Sequence, residues 1–223
     1  MPTIRDALKF GDVSELKNKI VSDVSNIEAF MNRFKEKHKR NTKNVVLFNI
    51  LRKAITYMEC LKLGIDGPTE QLAFSTRSLF ELNLITRYVL KSEENLDRFV
   101  YQSAVNKRET YEGILTLSDD PSNPNAKDIR KEIERIDGLL KGKDARKLPS
   151  TKDMAKGLDA LDEYIGLFKL YCNYVHPSSY TINAGSEEVH SPYIRNVFLI
   201  KSQQYCADTF ERIKSLLSPP SAG

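Results

Sequence analysis

Arg77, Glu81 and His176 are the side chains here whose types and spacing could do chemistry. Arg77 and Glu81 stand four apart in "RSLFE", a spacing that puts both on one helix face within reach of each other. A guanidinium is a permanent, two-pronged anion binder. A carboxylate beside it can orient it, and an imidazole titrates near neutral pH and can give or take a proton. Together they suggest a polar pocket for an anion such as a phosphate. A purely structural reading stands beside that one. A partly buried Arg–Glu pair can fix helix register, provided its hydrogen bonds offset desolvation. A histidine at a helix C-terminus is favoured by the macrodipole.

His176 ends the stretch "LFKLYCNYVHPSS". Counting back from it, Cys172, Phe168, Ile165, Leu161, Leu158 and Met154 recur at steps of three and four, the seam of a buried helix. Pro177 then stops the helix. Asn173, Tyr174, Ser178 and Ser179 surround the imidazole in sequence, and Lys169 lies seven residues back on almost the same face. Tyr180 follows in the loop and is placed to cover the pocket; Tyr88 shares the arc of Arg77 and Glu81.

These side chains need helices to carry them. Glycine is sparse, period-two alternation is nearly absent, and apolar residues recur at helical intervals almost throughout. The pattern predicts helices over about Val13–Arg40, Lys43–Leu63, Thr69–Lys91, Glu93–Leu117, Lys127–Lys141, Lys152–Val175 and Tyr193–Leu217. Loops fall at "SDDPSNPNAKD" and "HPSSYTINAGSEEVHSP", and Ser150-Thr151 with Asp153 has the makings of an N-cap. The helix bearing Arg77 is apolar on nearly every side, as for a helix enclosed by others, with Arg87 toward its rim. The fold class is all-α: a single-domain bundle of about six to seven helices over residues 1–217, with a flexible tail over 218–223.

Composition narrows the classes. With 40% hydrophobic and 29% charged residues among 223, the chain reads as an ordinary globular protein. No run of eighteen apolar residues is present, so no membrane span is expected. The opening "MPTIRDALKF" is not a secretory leader, and Cys60, Cys172 and Cys206 sit in apolar helical contexts. A cytoplasmic protein with buried thiols is therefore expected. The other histidines are His38 and His190; "EEVH" (Glu187–His190) is a single copy of a di-metal pattern that needs pairs. Neither a metal site nor a cofactor is expected. A net charge of +4 permits nucleic acid without demanding it. The cations do cluster: "RFKEKHKRNTK" carries Arg33, Lys35, Lys37, Lys39, Arg40 and Lys43 against Glu36 alone. They form either a nucleic-acid-binding surface or a solvated helix end that complements the macrodipole.

The R-S-L-F-E helix followed late in the chain by Y-V-H-P-S (Tyr174–Ser178) resembles an uncharacterised bacterial all-helical family. That family is itself similar to the HEPN superfamily (higher eukaryotes and prokaryotes nucleotide-binding). The resemblance spans roughly residues 45 to 215. It implies an HEPN-like bundle, often a homodimer, with RNA or a nucleotide as partner. Many members are metal-independent ribonucleases of defence or toxin systems; others only bind. Their motif is an arginine, usually followed by a polar residue, then a histidine after four to six intervening positions. Here Lys169 stands at the longest of those spacings, followed by Leu170. His176 would be the acid or base, and Arg77 or Lys169 the phosphate ligand. Glu81 and Asn173 would hold them in place. The alternative is a noncatalytic module that binds a protein or itself, with a buried Arg–Glu–His network.

Overall fold

The computed structural model describes residues 13–37, 40–117, 123–143 and 147–217. The opening residues, His38, Lys39 and the tail from 218 lie outside the described residues, as do the side chains of Lys37 and Leu217. Among the described residues every regular element is a helix. None is long and apolar enough to cross a membrane.

The long elements are α1 (Val13–Lys37), α2 (Thr42–Gly64), α3 (Thr69–Lys91), α4 (Glu93–Thr116) and α5 (Pro124–Leu140), with α11 (Pro192–Leu217) at the end. Their starts follow local chemistry. Asn41 accepts the Asn44 amide at 2.8 Å, Ser92 that of Asn95 at 3.1 Å, and Asn123 that of Asn125 at 2.9 Å just before Pro124. Each occupies one of the amides a helix leaves unpaired at its first turn.

The chain divides into two compact units, one of residues 1–87 and 151–223, the other of residues 88–150. In the second, α4 packs on α5, and Leu96, Ala126 and Ile136 are buried. Lys107–Glu132 at 2.7 Å and Arg108–Asp137 at 2.6 Å link the two helices.

In the first unit α1, α2 and α11 pack together, and α3 is held against α11 by hydrogen bonds. Its core face is unexpectedly polar: Ser75, Thr76, Asn83 and Thr86 are buried beside Leu72, Leu79, Phe80 and Leu84. The Thr76 hydroxyl lies 2.7 Å from that of Ser202. Asn83 donates to Asp208 at 2.7 Å and Thr209 at 3.2 Å. Small hydroxyl residues let two helices approach closely, and Ser75 and Thr86 return their hydroxyls to the Gln71 and Leu82 carbonyls of α3. At the α2–α3 turn Arg195 clasps four oxygens. They are the carbonyls of Gly64 (3.1 Å), Ile65 (2.8 Å) and Gly67 (3.1 Å), and the Thr69 hydroxyl (3.1 Å). That satisfies carbonyls left over at the end of α2 and sets a cation at the negative end of its dipole.

The stretch expected as one helix from Lys152 to Val175 is broken. α6 (Thr151–Gly157) is followed by Asp159, whose φ of 53° is left-handed, a conformation aspartate tolerates better than most residues. Arg87 donates to the Leu158 carbonyl there. Next come one turn of α7 (Leu161–Glu163), a π-helix over Tyr164–Phe168, and α8 (Lys169–Val175). The wide π turn holds one residue more than an α turn, so the inward stripe changes. Ile165, on the expected seam, is 62% exposed, whereas Tyr171 and Tyr174 are buried. The expected loop after His176 holds two short helices, α9 (Ser179–Asn183) and α10 (Ser186–Val189). Of the three cysteines expected to be buried, Cys206 is; Cys60 and Cys172 are half-buried, and all are free thiols.

Candidate functional site

α3 is not enclosed on every side. Phe74, Arg77, Ser78, Glu81 and Ile85 form a partly open stripe, while the residues between them are buried. Phe74 is 45% exposed, and the side chains of Arg77 and Glu81 are 23% and 34% exposed. The interior pocket expected around this pair is replaced by an open surface.

His176 meets them there. It is the C-cap of α8, with its amide donating to the Cys172 carbonyl at 3.0 Å, and it is exposed. Its Nε2 lies 2.6 Å from Arg77 Nη1. Arginine has only donors, so Nε2 accepts and presents its lone pair to the guanidinium. On the other side Arg77 Nε donates to Glu81 Oε1 at 3.2 Å. Arg77 also lies over the Phe168 ring, 5.1 Å from its centroid. The set is thus Glu81–Arg77–His176 in line at the surface, and it is not buried.

The π-helix builds the floor. Phe168 stacks on Tyr164 at 4.8 Å and packs against Phe80 at 5.8 Å, which fixes the ring under the guanidinium. The π turn is anchored by Glu163, which accepts from Lys201 at 2.6 Å and from the Tyr205 hydroxyl at 2.9 Å; Tyr171 joins that hydroxyl at 3.0 Å. Burial pushes the Tyr57 phenol up, helped by the charge of Glu81; Tyr57 lies edge-on to Phe74 at 6.2 Å. Burial also pushes the Cys172 thiol up, with Glu81 adding and Arg77 opposing. Phe168, Cys172 and Tyr57 therefore border the set, and Phe168 and Tyr57 are not among the site residues the sequence singles out. Phe168 carried a signal in its aromatic type on the seam; nothing marked the π turn that aims it.

The remaining expected residues are spread out. Lys169 is exposed at the first position of α8. Asn173 accepts the Ser178 hydroxyl at its carbonyl, 2.9 Å, and Ser178 caps α9 through the Thr181 amide at 3.2 Å. That double tie fixes the turn presenting His176. Tyr180 packs edge-on to Tyr174 at 6.0 Å. Tyr88 is eleven residues beyond Arg77, about 16 Å along the same helix, and its hydroxyl accepts from Arg98 at 3.4 Å. It is outside the set.

The basic stretch divides. Arg33 donates to the Ala29 carbonyl at 3.3 Å and lines a cavity of about 390 Å³ with Asp23, Glu211 and Lys214. Lys35 and Arg40 face a different hollow, joined by Arg52, Asn44, Asn49 and Phe48. Lys43 makes its own interactions at the start of α2. Among the described residues no group of three His, Cys, Asp or Glu side chains is placed to hold a metal ion.

The fold and the site together define an all-helical protein with an exposed Arg–Glu–His line over an aromatic floor. The chain belongs to a family of unknown function (DUF5677), whose model matches residues 44–188, a span that contains the whole line. No curated protein and no solved structure matches it.

Proposed function

We propose that the protein is an HEPN-like RNA- or nucleotide-acting protein, and that its Arg77–His176 surface performs metal-independent RNA cleavage. The observation that carries this is the 2.6 Å contact between Arg77 Nη1 and an exposed His176 Nε2. It supplies from a neighbouring helix the arginine that the segment before His176 lacks. In the free protein the guanidinium occupies the imidazole lone pair. A phosphate drawing Arg77 onto its oxygens would free that lone pair beside the bound backbone. The 2′-hydroxyl oxygen then bonds to the adjacent phosphorus, and the bond to the 5′ oxygen breaks. His176 Nε2 takes the hydroxyl proton and the leaving oxygen takes one from water. The products are a 2′,3′-cyclic phosphate and a 5′-hydroxyl end. Glu81 keeps the guanidinium oriented, Asn173 ties the turn that presents His176, and Lys169 adds positive charge.

The test is cleavage of a labelled RNA by the full chain in excess chelator. Cutting to cyclic-phosphate ends is expected, falling about 10²–10⁴-fold in His176→Ala and strongly in Arg77→Ala, each with its fold intact. Absence of cutting, or cutting undiminished by His176→Ala, refutes the reading.

One observation favours a second reading: the line is closed on itself, with Arg77 already engaged by Glu81, His176 and Phe168. A noncatalytic protein-binding or self-association module would use that closure as a clasp between α3 and the end of α8. Its signature is a large stability loss on breaking the contact, with no activity to lose.

A further inference from the structure

The hollow beside α2 carries a second site. It is a cavity of about 440 Å³ lined by Phe34, Lys35, Arg40, Asn44, Val45, Phe48, Asn49 and Arg52. Among the described residues three cations line it and no carboxylate does. A second cavity of about 740 Å³ shares Lys35, Phe48 and Arg52 with the first and continues past Asn32, Ile55 and Thr56; Glu28 is its one carboxylate. Shared walls make the two a continuous trough rather than a closed pocket.

The electrostatics are unspent. Lys107, Arg108, Arg135 and Arg212 are each paired with a carboxylate. Lys35 instead lies over the Phe48 ring, 4.9 Å from its centroid. Arg40 and Arg52 project from exposed positions toward the same space. A charged head parked on an aromatic face gives way readily to a phosphate, and the ring it vacates is a stacking surface for a base. Asn44 and Asn49 add amides to the wall. An elongated trough, three cations with no carboxylate paired to them among the described residues and an aromatic ring at the junction of its halves together match one polymer.

We propose that this trough binds single-stranded RNA. Lys35, Arg40 and Arg52 neutralise successive phosphates, and Phe48 takes a base. This rests on the nucleic-acid reading of the protein but not on cleavage. Phe48 and Tyr57 lie nine residues apart on α2, about 14 Å along its axis, so the trough would act as an exosite on the helix that borders the Arg77 surface. It also gives the basic stretch a specific role. Lys35 and Arg40 belong to the site with Arg52, which lies outside the stretch, and Arg33 does not.

The experiment is fluorescence anisotropy of the full chain with a labelled uridine dodecamer across a salt series. Variants are Arg40→Ala, Arg52→Ala and the pair together, with Lys127→Ala as the control that removes one charge from α5. Each trough variant is expected to weaken binding about 5–10-fold and to reduce the slope of log Kd against log salt by roughly 0.7, the value for one lost phosphate contact on a single strand. Lys127→Ala is expected to change neither. Unlabelled uridine monophosphate, pyrophosphate and poly-glutamate serve as competitors. Equal displacement by the monophosphate or pyrophosphate would make this a small-anion site, and equal displacement by poly-glutamate an acidic-peptide site; either overturns the proposal. So does wild-type affinity in the double variant, or no binding by the wild type. The same titration on His176→Ala separates the two ideas. Retained binding without cutting leaves the trough standing whatever becomes of the cleavage reading.

Discussion

Breaking the Arg77–His176 contact separates the two readings of the surface, and its cost follows from exposure. Arg77→Ala removes three interactions. The first is an (i, i+4) ion pair with a carboxylate 34% exposed, about 0.3–0.5 kcal/mol after solvent screening. The second is a hydrogen bond to an exposed imidazole, about 0.5–1 kcal/mol. The third is a guanidinium–ring contact at 5.1 Å, about 0.5–1 kcal/mol. The expected loss is about 1–2.5 kcal/mol, and for a chain of this size each kcal/mol lowers Tm by about 2–4 °C. His176→Ala is expected to lose under about 1 kcal/mol, since its ring is in water in either state. Denaturant titration followed by far-UV circular dichroism, on both single variants and the double, yields the coupling between them, expected below about 1 kcal/mol. A loss above about 3 kcal/mol for Arg77→Ala, or a coupling of that size, is what breaking a desolvated ion pair costs. It would refute the view of an open, exchangeable contact and support the clasp.

Arg195→Ala removes the guanidinium from three carbonyls and a hydroxyl at the α2–α3 turn, leaving the Gly64 carbonyl only the Gly67 amide at 3.2 Å and the Thr69 hydroxyl only His190 Nδ1 at 3.0 Å. A loss of about 2–4 kcal/mol is expected in the same titration, and Arg195→Lys should recover less than half, because an ammonium lacks the fork. Burial pushes the Cys206 thiol up to about 12. The thiolate is the nucleophile, so iodoacetamide at pH 8 should spare Cys206 until denaturant is added while labelling half-buried Cys60, as mass spectrometry would show. Equal labelling rates would contradict that burial. Hydrogen bonds from Arg135, then from Lys107, hold Glu132 down at about 2 from its ordinary 4.5. With the folded value below the unfolded one, the contribution to stability is complete above pH 4.5 and is lost as pH falls toward 2. A carboxyl-carbon NMR titration should place the midpoint near 2, moving up in Arg135→Ala.

The long helices were legible because their apolar spacing is regular and their caps use the residues that cap helices. The Arg77–Glu81 pairing was legible from its spacing of four. What failed was phase. An unbroken α-helical seam from Met154 is interrupted twice, at the left-handed Asp159 and at the wide turn Tyr164–Phe168, and Ile165 faces outward while Tyr171 and Tyr174 face inward. A π turn leaves no mark in hydrophobic spacing, and the contacts beside this one are remote in sequence: Glu163 accepts from Lys201 and Tyr205 of α11. The enclosure of α3 was overread for the opposite reason. Phe74 and Ile85 are apolar and still face outward, whereas Ser75, Thr76, Asn83 and Thr86 are polar and face inward. Ser75 and Thr86 return their hydroxyls to the Gln71 and Leu82 carbonyls of α3 itself, whereas Thr76 and Asn83 meet partners on α11 more than a hundred residues away. Arg195 escaped notice as an isolated cation; its value comes from a turn it meets only in three dimensions.

The polar seam between α3 and α11 also has a consequence in time. Thr76 and Ser202 are 126 residues apart, and Asn83 and Asp208 are 125. During synthesis at about 5–20 residues per second, α3 waits roughly 6–25 s for the helix that covers it. For that interval Phe80 lacks Tyr205 and the hydroxyl of Thr76 and amide of Asn83 lack their α11 partners, while α4 and α5 can pair at once through contacts 25 to 29 residues apart. The middle of the chain is thus free to mature first. A nascent chain stalled before Pro192 presents a greasy, half-built helix layer, the kind of surface that chaperones hold and that aggregates when they do not.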